Sequence, residues 1–463
     1  MSLYHSSLPA ISSLAKNDPY PVFSSLDPHT FINTSERMRY INPERGDQKQ
    51  RWAISISPFG QNADSGRNLS GEKFLPSVIT EQGGASTQTG IPIQITDITG
   101  RPNMIALLYG KLPVDTQYGT LLTQARTVLF AAGPTTVIND ESLIDPTQRL
   151  GSITFSSEYR KRGVRFDLSG MLFGDFGLNI QTGIASICHT VTGRKDLTCD
   201  AGMVCSFTTQ YEQLKTPVQN ALTSQLDNIA KEIGINICSF RDTSVEEVRA
   251  NLFWRHAYEM NDARDPDYPH FLFTPFAEIC FSGSPGKKRD QSHLFAVPFG
   301  NDGHNALGGR AGINFDFVDT IEIGGEVGAT HYFERHVCGM RMPNSEFQKT
   351  LFPFTADASV IPGYNWHFGG KVSAYHFLDN LSFFLQYLIV EHKQDSICLS
   401  VPDDAFLPAC LEKTTGWKVK MIDIGVNYDL SPNMGLGFLW QTPLSQVNAY
   451  RTTTLLFSFN AAF

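Results

Sequence analysis

The sequence predicts an all-β protein, a transmembrane antiparallel β-barrel of about 12–14 strands with long loops and a small helical insertion. Three observations predict this class. Apolar and polar residues alternate with period two through much of the second half of the chain. Short connections alternate with long ones in the same region. The longest nearly apolar run, residues 381–390, has about half the length that a membrane-spanning helix needs.

The composition narrows the possible functions. Only 18% of the 463 residues are charged, against about a quarter in ordinary soluble proteins. A disordered chain has high charge and few aromatic residues, whereas this chain has 33 Phe. The net charge of -9 argues against nucleic acid as a partner, because nucleic-acid affinity depends on basic residues that neutralise phosphates.

The chain divides into an N-terminal part and a barrel. Residues 1–50 have no strand pattern and many Ser and Pro, so we expect an N-terminal extension or a plug. Residues 51–463 are expected to form the barrel, with a long loop at 60–103. In the first half, alternation predicts strands at 51–59, 150–160, 164–172, 176–187 and 270–281.

The second half has the more regular pattern. Its short turns, near 319, 379 and 432, contain Asp, Asn, Pro and Ser, whereas the connections 334–363 and 392–416 are long. Outer-membrane barrels have this asymmetry, and a soluble sandwich has no reason to keep it in phase. The predicted strands are 310–317, 321–333, 366–377, 381–391, 417–429, 434–442 and 450–463.

These segments give twelve strands. With twelve, however, the tight turn at 173–175 would lie on the side of the long loops. Two further strands, at 104–110 or 125–132 and at 293–299, would restore the order and give fourteen. The sequence leaves both counts open.

One insertion, at about 189–268, is not predicted as β. Thr216 is a suitable N-cap, Pro217 suits the first helical position and Gly234 suits the C-cap. The capping-box pattern from Ser244 to Glu247 predicts a second helix. Such an insertion would serve as a plug, an external lid or a contact between protomers.

The last strand carries a specific signal. Leu455, Phe457, Phe459, Ala461 and Phe463 share one face and end on an aromatic residue. This pattern resembles the C-terminal signal of bacterial outer-membrane β-barrels. The resemblance implies that the chain resides in the bacterial outer membrane with lipid around it, and that the barrel-assembly machinery recognises Phe463, Phe459 and Phe457.

Eight cysteines raise the question of disulfides. No C-x-x-C or zinc-finger spacing is present, so no metal site is expected. An even number of cysteines in an exported protein favours disulfides, and the nearest pairs are Cys199 with Cys205 and Cys398 with Cys410. The chain is also similar to barrels of the porin or major outer-membrane-protein type. In several of those barrels cysteines cross-link neighbouring chains.

Charged residues on the faces opposite the apolar ones are the candidate site. In a barrel whose apolar faces meet lipid, these charges point into the lumen and select which ions pass. The predicted pore-lining residues are Glu158, Arg160, Arg165, Asp167, Arg310, Asp316, Glu322, Glu326 and Lys371.

These observations predict a porin-like channel for the passive diffusion of small hydrophilic solutes and ions. The alternatives are a plugged transporter of hydrophobic compounds, similar to the fatty-acid channels, and a structural protein that forms surface arrays. Catalysis is not expected, because the one His, Asp and Asn cluster, residues 301–305, has no adjacent nucleophile motif. No cofactor is expected. Assembly as a homo-oligomer, such as a trimer, is common among porins and is a further expectation.

Overall fold

The computed structural model describes thirteen parts of the chain, and the statements below concern these parts. They are residues 51–67, 80–81, 84–85, 91–94, 104–131, 150–151, 153–196, 198, 209–262, 265–317, 320–348, 351–378 and 380–463. Residues 1–50, for which an extension or plug is predicted, lie outside them. Among the described residues, none of the helices has the length and apolar composition needed to cross a membrane.

Twelve antiparallel strands form a closed barrel, so the lower of the two predicted counts is confirmed. Each strand pairs with the strands before and after it, and the first pairs with the last. In chain order, β1 to β12 are Trp52–Arg67, Ile153–Phe173, Phe176–Asp196, Val248–Arg255, Asp265–Gly283, Ala306–Phe317, Ile321–Tyr332, Asn365–Leu378, Leu381–His392, Trp417–Ser431, Met434–Val447 and Ala449–Ala462.

The barrel closes between β1 and β12. Ala53 pairs with Ala462, and Gln61 pairs with Thr454. The Trp52 amide and the Phe463 amide each donate a hydrogen bond to the other residue's carbonyl oxygen, at 3.2 and 2.8 Å. Because of this closure, β1 and β12 are each paired with a barrel strand on both sides.

The first half of the chain has five barrel strands, the number that the pattern predicts, but they are not the five predicted segments. Predicted strands 150–160 and 164–172 are one continuous strand, β2, whose pairing with β1 runs through Gly163. The predicted second helix is wrong, since residues Phe240–Val245 and Val248–Arg255 are strands that pair with β3. With these corrections the turn at 173–175 lies at the same end as the other short turns.

None of the three candidate additional strands forms. Residues Met104–Leu108 form a 3₁₀ helix, Thr120–Ala131 form an α-helix, and 293–299 form turns. These three segments therefore form helices and turns and add no strand to the barrel.

The predicted helix around Thr216 is present but begins earlier. It consists of Thr209–Val218, a π-helical turn at Gln219–Thr223 and Leu226–Glu232. Pro217 lies inside the first segment instead of at its start. Proline lacks the amide that an α-helix needs in its interior, and the π turn follows it directly.

Further short elements lie between the barrel strands. A three-stranded sheet consists of Arg335–Met342, Phe354–Ile361 and Ser396–Leu399. The helix Pro408–Thr415 packs against this sheet. The remaining short strands are Thr80–Glu81, Gly84–Ala85, Ile91–Gln94 and Tyr258–Asp262.

Candidate functional site

The two faces of the barrel wall differ in chemistry. The outer face presents large apolar side chains, among them Ile56, Val327 and Phe457, which are 40%, 57% and 56% exposed. The inner face carries buried polar and charged groups. Since neighbouring residues of a strand point to opposite faces, this division follows directly from the period-two pattern.

The structure places seven of the nine predicted pore-lining residues inside the barrel. All seven are buried, and none is more than 8% exposed. They are Arg165, Asp167, Arg310, Asp316, Glu322, Glu326 and Lys371.

The other two predicted residues, Glu158 and Arg160, lie on the outer face, and their predicted inward direction is wrong. Their side chains are 31% and 53% exposed and form an ion pair of 2.8 Å. Because β2 is one strand, its odd-numbered residues keep the inward direction throughout. Lys161, which the sequence prediction missed, takes the inward position.

A buried glutamate joins two cations on the inner wall. Glu246 lies between the strand Phe240–Val245 and β4, and it accepts from Lys161 Nζ at 2.5 Å and from Arg165 Nε at 3.0 Å. The Arg165 guanidinium also lies 4.0 Å from the centre of the Phe59 ring. Glu246 thus links β2 to the break between the strand Phe240–Val245 and β4, both of which pair with β3.

The neighbouring glutamate points inward as well. Glu247 accepts from Arg249 Nε at 2.5 Å and from the Ser282 hydroxyl at 2.8 Å. Consecutive residues of a regular strand cannot both face the lumen, so the break between the two strands is what permits it. The capping-box pattern predicts a helix at these two residues, and the structure has the break between two strands instead.

A second group of ion pairs lies on the four strands from β5 to β8. Arg310 donates from Nη2 to Glu278 at 2.7 Å, and its Nη1 lies 3.7 Å from Glu326. Lys371 lies 2.5 Å from Glu322, which also accepts from the Tyr375 hydroxyl at 3.0 Å. The charges of this second group therefore pair between adjacent strands.

A continuous polar row connects the two groups. Its seven members lie directly opposite one another on adjacent strands and are at most 6% exposed. We call them the polar row: Lys371, Gln386, Asp423, Gln441, Thr454, Gln61 and Lys161.

Apolar side chains border the polar row. Phe384, Leu439 and Leu456 lie two residues away along their strands on one side, and Leu388 and Met421 lie on the other. A polar track between apolar rows suits the passage of polar groups along the wall. Strands of a barrel are tilted, so a row perpendicular to them climbs around the axis.

Asp423 is the member of the polar row with the largest desolvation cost, because its carboxylate is fully buried. Among the described residues, neither of its carboxylate oxygens has a hydrogen-bond partner, and the same holds for the amide nitrogen and oxygen of Gln441. Gln441 lies directly opposite Asp423, and a buried carboxylate without well-formed hydrogen bonds is costly.

Helices with buried apolar side chains cover the end of the barrel that carries the long loops. We call the helices Met104–Leu108, Thr120–Ala131, Thr209–Val218 and Leu226–Glu232, together with residues 294–299, the cap. Their buried residues form one apolar cluster that continues into the barrel through Phe155, Tyr159, Tyr450 and Phe59.

The His, Asp and Asn cluster at residues 301–305 has a structural arrangement. Asp302 accepts from Arg335 Nη2 at 2.9 Å and from the Arg289 amide at 2.7 Å, and His304 Nδ1 lies 2.9 Å from the Phe333 carbonyl oxygen. Burial lowers the pKa of His304 to about 4 and raises that of Asp302. Nδ1–H therefore donates to Phe333, and the ring stays neutral at pH 7.

The cysteines do not form the predicted pair within the described residues. Cys398 and Cys410 are free thiols. Cys398 alternates with Ile397, which packs against Leu411 of the helix Pro408–Thr415, so the Cys398 thiol points away from that helix. Cys199 and Cys205 lie outside the described residues.

The terminal strand has the predicted orientation. Phe457, Phe459 and Phe463 lie on the outer face and are 56%, 39% and 63% exposed. Their position places the aromatic face of β12 where lipid would surround it.

No protein-family model and no curated protein sequence matches this chain. Among solved structures, the chain is similar to an outer-membrane channel from Pseudomonas putida F1. The identity is 9% and the TM-score 0.43, over 89% of this chain and 96% of that one.

Two further structures show similar statistics. For the transport unit of the autotransporter AIDA-I from Escherichia coli, the identity is 9% and the TM-score 0.38, over 97% of this chain and 99% of that one. For a Pseudomonas aeruginosa FadL homologue, the identity is 10% and the TM-score 0.34, over 98% of each chain.

Proposed function

We propose that this chain is a channel of the bacterial outer membrane that passes small hydrophilic solutes and ions. One observation carries the proposal: the closed barrel has an apolar outer wall and an inner wall of charged and polar groups. A soluble β-barrel has the opposite arrangement, with apolar side chains inside. Lipid outside and polar solute inside account for both faces.

The inner charges are nearly inaccessible and pair with one another, and the cap covers one end. Solute passage therefore requires that the cap moves and that ion pairs such as Lys371 with Glu322 separate or rearrange. We expect brief, infrequent openings instead of a permanently open pore.

Planar-bilayer recording of the full chain tests the proposal. We expect discrete openings whose ion selectivity changes with Lys371→Gln, because the lysine faces the lumen. Lys418→Gln is the matched control, since Lys418 pairs with Glu391 and lies over the Trp366 ring on the outer face. A chain that stays electrically silent and does not release small sugars from liposomes would contradict the proposal. Equal selectivity in both variants would also contradict it.

A second candidate, the transport of hydrophobic compounds, is favoured by the cap. Its apolar cluster runs without a break from Phe295 through Tyr450 and Phe59 to Leu456 inside the barrel. Such a path would accept an apolar molecule from outside. Uptake of a fluorescent fatty acid into liposomes, without release of small sugars, would favour this candidate over the channel for hydrophilic solutes.

We also propose that lipid and the barrel-assembly machinery are partners of the chain. The exposed face of β12 ends on Phe463, next to the first strand, which is where an assembly factor could hold an open barrel. Association of barrels into a trimer would bury part of the exposed outer face, and cross-linking in intact membranes tests for it.

A further inference from the structure

The three-stranded sheet beyond the barrel brings together three side chains that bind metals. His336, Cys338 and Asp357 lie on its exposed face, and one ligand atom from each residue lies within 4.8 Å of the others. The sheet is built from two of the long connections, so it lies at the end of the barrel opposite the short turns. The sequence did not indicate this group, because the residues do not follow a zinc-motif spacing.

The backbone arranges the group through a β-bulge. Val337 pairs with Ala358, and Met340 pairs with Ala356, so Cys338 and Gly339 both lie opposite Asp357. Gly339 has a φ of +62°, which glycine adopts without strain. The bulge therefore places the thiol beside the carboxylate of the adjacent strand.

The opposite face of the sheet fixes its orientation. Val337, Met340 and Val360 are buried there with Leu411 of the helix Pro408–Thr415. A one-residue shift of either strand would turn these apolar side chains into solvent, so the register is well defined. The exposed face is consequently held in place by a core of its own.

Two hydrogen bonds orient the ligand atoms. The Gly339 amide donates to Asp357 Oδ1 at 2.7 Å, which leaves Oδ2 for a metal. The Ser400 hydroxyl lies 3.4 Å from His336 Nδ1, which leaves Nε2. Such outer contacts set the tautomer and direction of metal ligands in known sites.

We propose that this face binds a divalent transition-metal ion of the Zn²⁺ class. A thiolate, an imidazole and a carboxylate form the mixed sulfur, nitrogen and oxygen set that Zn²⁺ accepts, whereas Ca²⁺ and Mg²⁺ require oxygen ligands. Binding releases the thiol proton of Cys338 to solvent. Three protein ligands leave the fourth position of the tetrahedron to a water molecule. The proposal does not depend on the transport function.

Co²⁺ titration of the reduced full chain in detergent tests the proposal. We expect one equivalent to produce a thiolate-to-Co²⁺ absorption band that Zn²⁺ abolishes and Ca²⁺ does not. Cys338→Ser should remove the band, and His336→Asn and Asp357→Asn should each weaken Co²⁺ binding at least tenfold. Cys238→Ser is the matched control, because Cys238 is an exposed thiol outside the sheet.

The proposal is overturned if Cys338→Ser keeps the band, or if Cys238→Ser removes it equally. It is also overturned if Co²⁺ binds all four variants with the same affinity. Resistance of the folded barrel to unheated detergent, measured by gel mobility, checks that each variant is folded. Channel conductance is measured separately, so failure of this site and failure of the transport proposal remain distinguishable.

Discussion

The ion pairs around Glu246 allow a quantitative prediction. Glu246→Gln removes the carboxylate that lies 2.5 Å from Lys161 and 3.0 Å from Arg165. At an effective dielectric constant of about 20, a pair of unit charges 3 Å apart is worth ~5 kcal/mol. Removing one partner of a buried ion pair costs ~3–5 kcal/mol, and here two cations lose their counter-charge. We expect the free energy of unfolding to fall by ~3–5 kcal/mol.

The matched control lies on the outer face of β2, the strand that carries Lys161 and Arg165. Glu158→Gln breaks the ion pair with Arg160, whose side chain is 53% exposed. Surface pairs of this kind are worth less than ~1 kcal/mol. Glu246→Asp is the second control, because it keeps the charge and shortens the side chain.

The assay has two parts. Urea unfolding of the refolded barrel, followed by tryptophan fluorescence, gives the difference in unfolding free energy, and reversal potentials in a KCl gradient give the ion selectivity. Glu246→Gln should shift selectivity toward chloride, since Lys161 and Arg165 then add positive charge to the lumen. If Glu246→Gln and Glu158→Gln have the same stability and the same reversal potential, the reasoning from buried ion pairs is refuted.

Three other predictions follow from the wall, the loop and the last strand. Gly425→Ala should destabilise the barrel by ~1–3 kcal/mol, because a Cβ there would lie 1.9 Å from the Phe384 ring, whereas Gly370→Ala, with nothing within 4 Å, should be tolerated; urea unfolding compares them. His304 has a folded pKa of about 4 against 6.5, so the unfolded loop binds more protons between these values and the loop loses stability as pH falls. The hydrogen-exchange protection factors of residues 299–305, corrected for the intrinsic slowing of amide exchange toward acid pH, should therefore fall between pH 7 and pH 4.5, and His304→Asn should reduce this fall. Phe463→Ser should lower the amount of folded barrel in membranes without altering the unfolding free energy of purified barrel by more than ~1 kcal/mol.

Each of these predictions has a contrary outcome. Equal stability of the two glycine variants would mean that the ring near residue 425 repacks freely. Protection factors that do not change with pH would contradict the prediction and would mean that Asp302, whose raised pKa acts in the opposite direction, balances the histidine. A normal membrane level of Phe463→Ser would remove the last aromatic residue from the proposed assembly signal.

The sequence was sufficient for the wall of the barrel wherever alternation is unbroken. In β6 and β7 the inward and outward residues agree with the pattern, so Arg310, Asp316, Glu322 and Glu326 are placed correctly. A period-two pattern has only two solutions, and the apolar face decides between them.

The pattern fails where local signals compete with pairing. Lys161-Arg162-Gly163 looks like a turn, but Gly163 is where the wall comes close, since a Cβ would lie 2.2 Å from the Ile184 carbonyl oxygen. If the strand broke at Gly163, inward and outward positions could switch there, and for this reason the pattern predicts Arg160 on the inner face. Lys161 and Arg165 are four residues apart, so they lie on the same face of the continuous strand.

Contacts between distant parts of the chain carry no local signal. The capping-box residues Glu246 and Glu247 find partners in β2 and β5, and a strand forms where propensity alone favours a helix. Asp423 lies between Ile422 and Ile424, and only the register shows that it belongs to the polar row. The metal-ligand group likewise depends on a bulge that pairs distant strands.

The pairing of β1 with β12 has a consequence for how the protein reaches its folded state. The two strands lie far apart in the sequence, and their contacts form late because closing so long a loop is entropically costly. Until then, both strands present an unpaired edge, and such edges promote aggregation. The chain must therefore be kept apart from its copies between synthesis and closure, and the closing step should limit the folding rate.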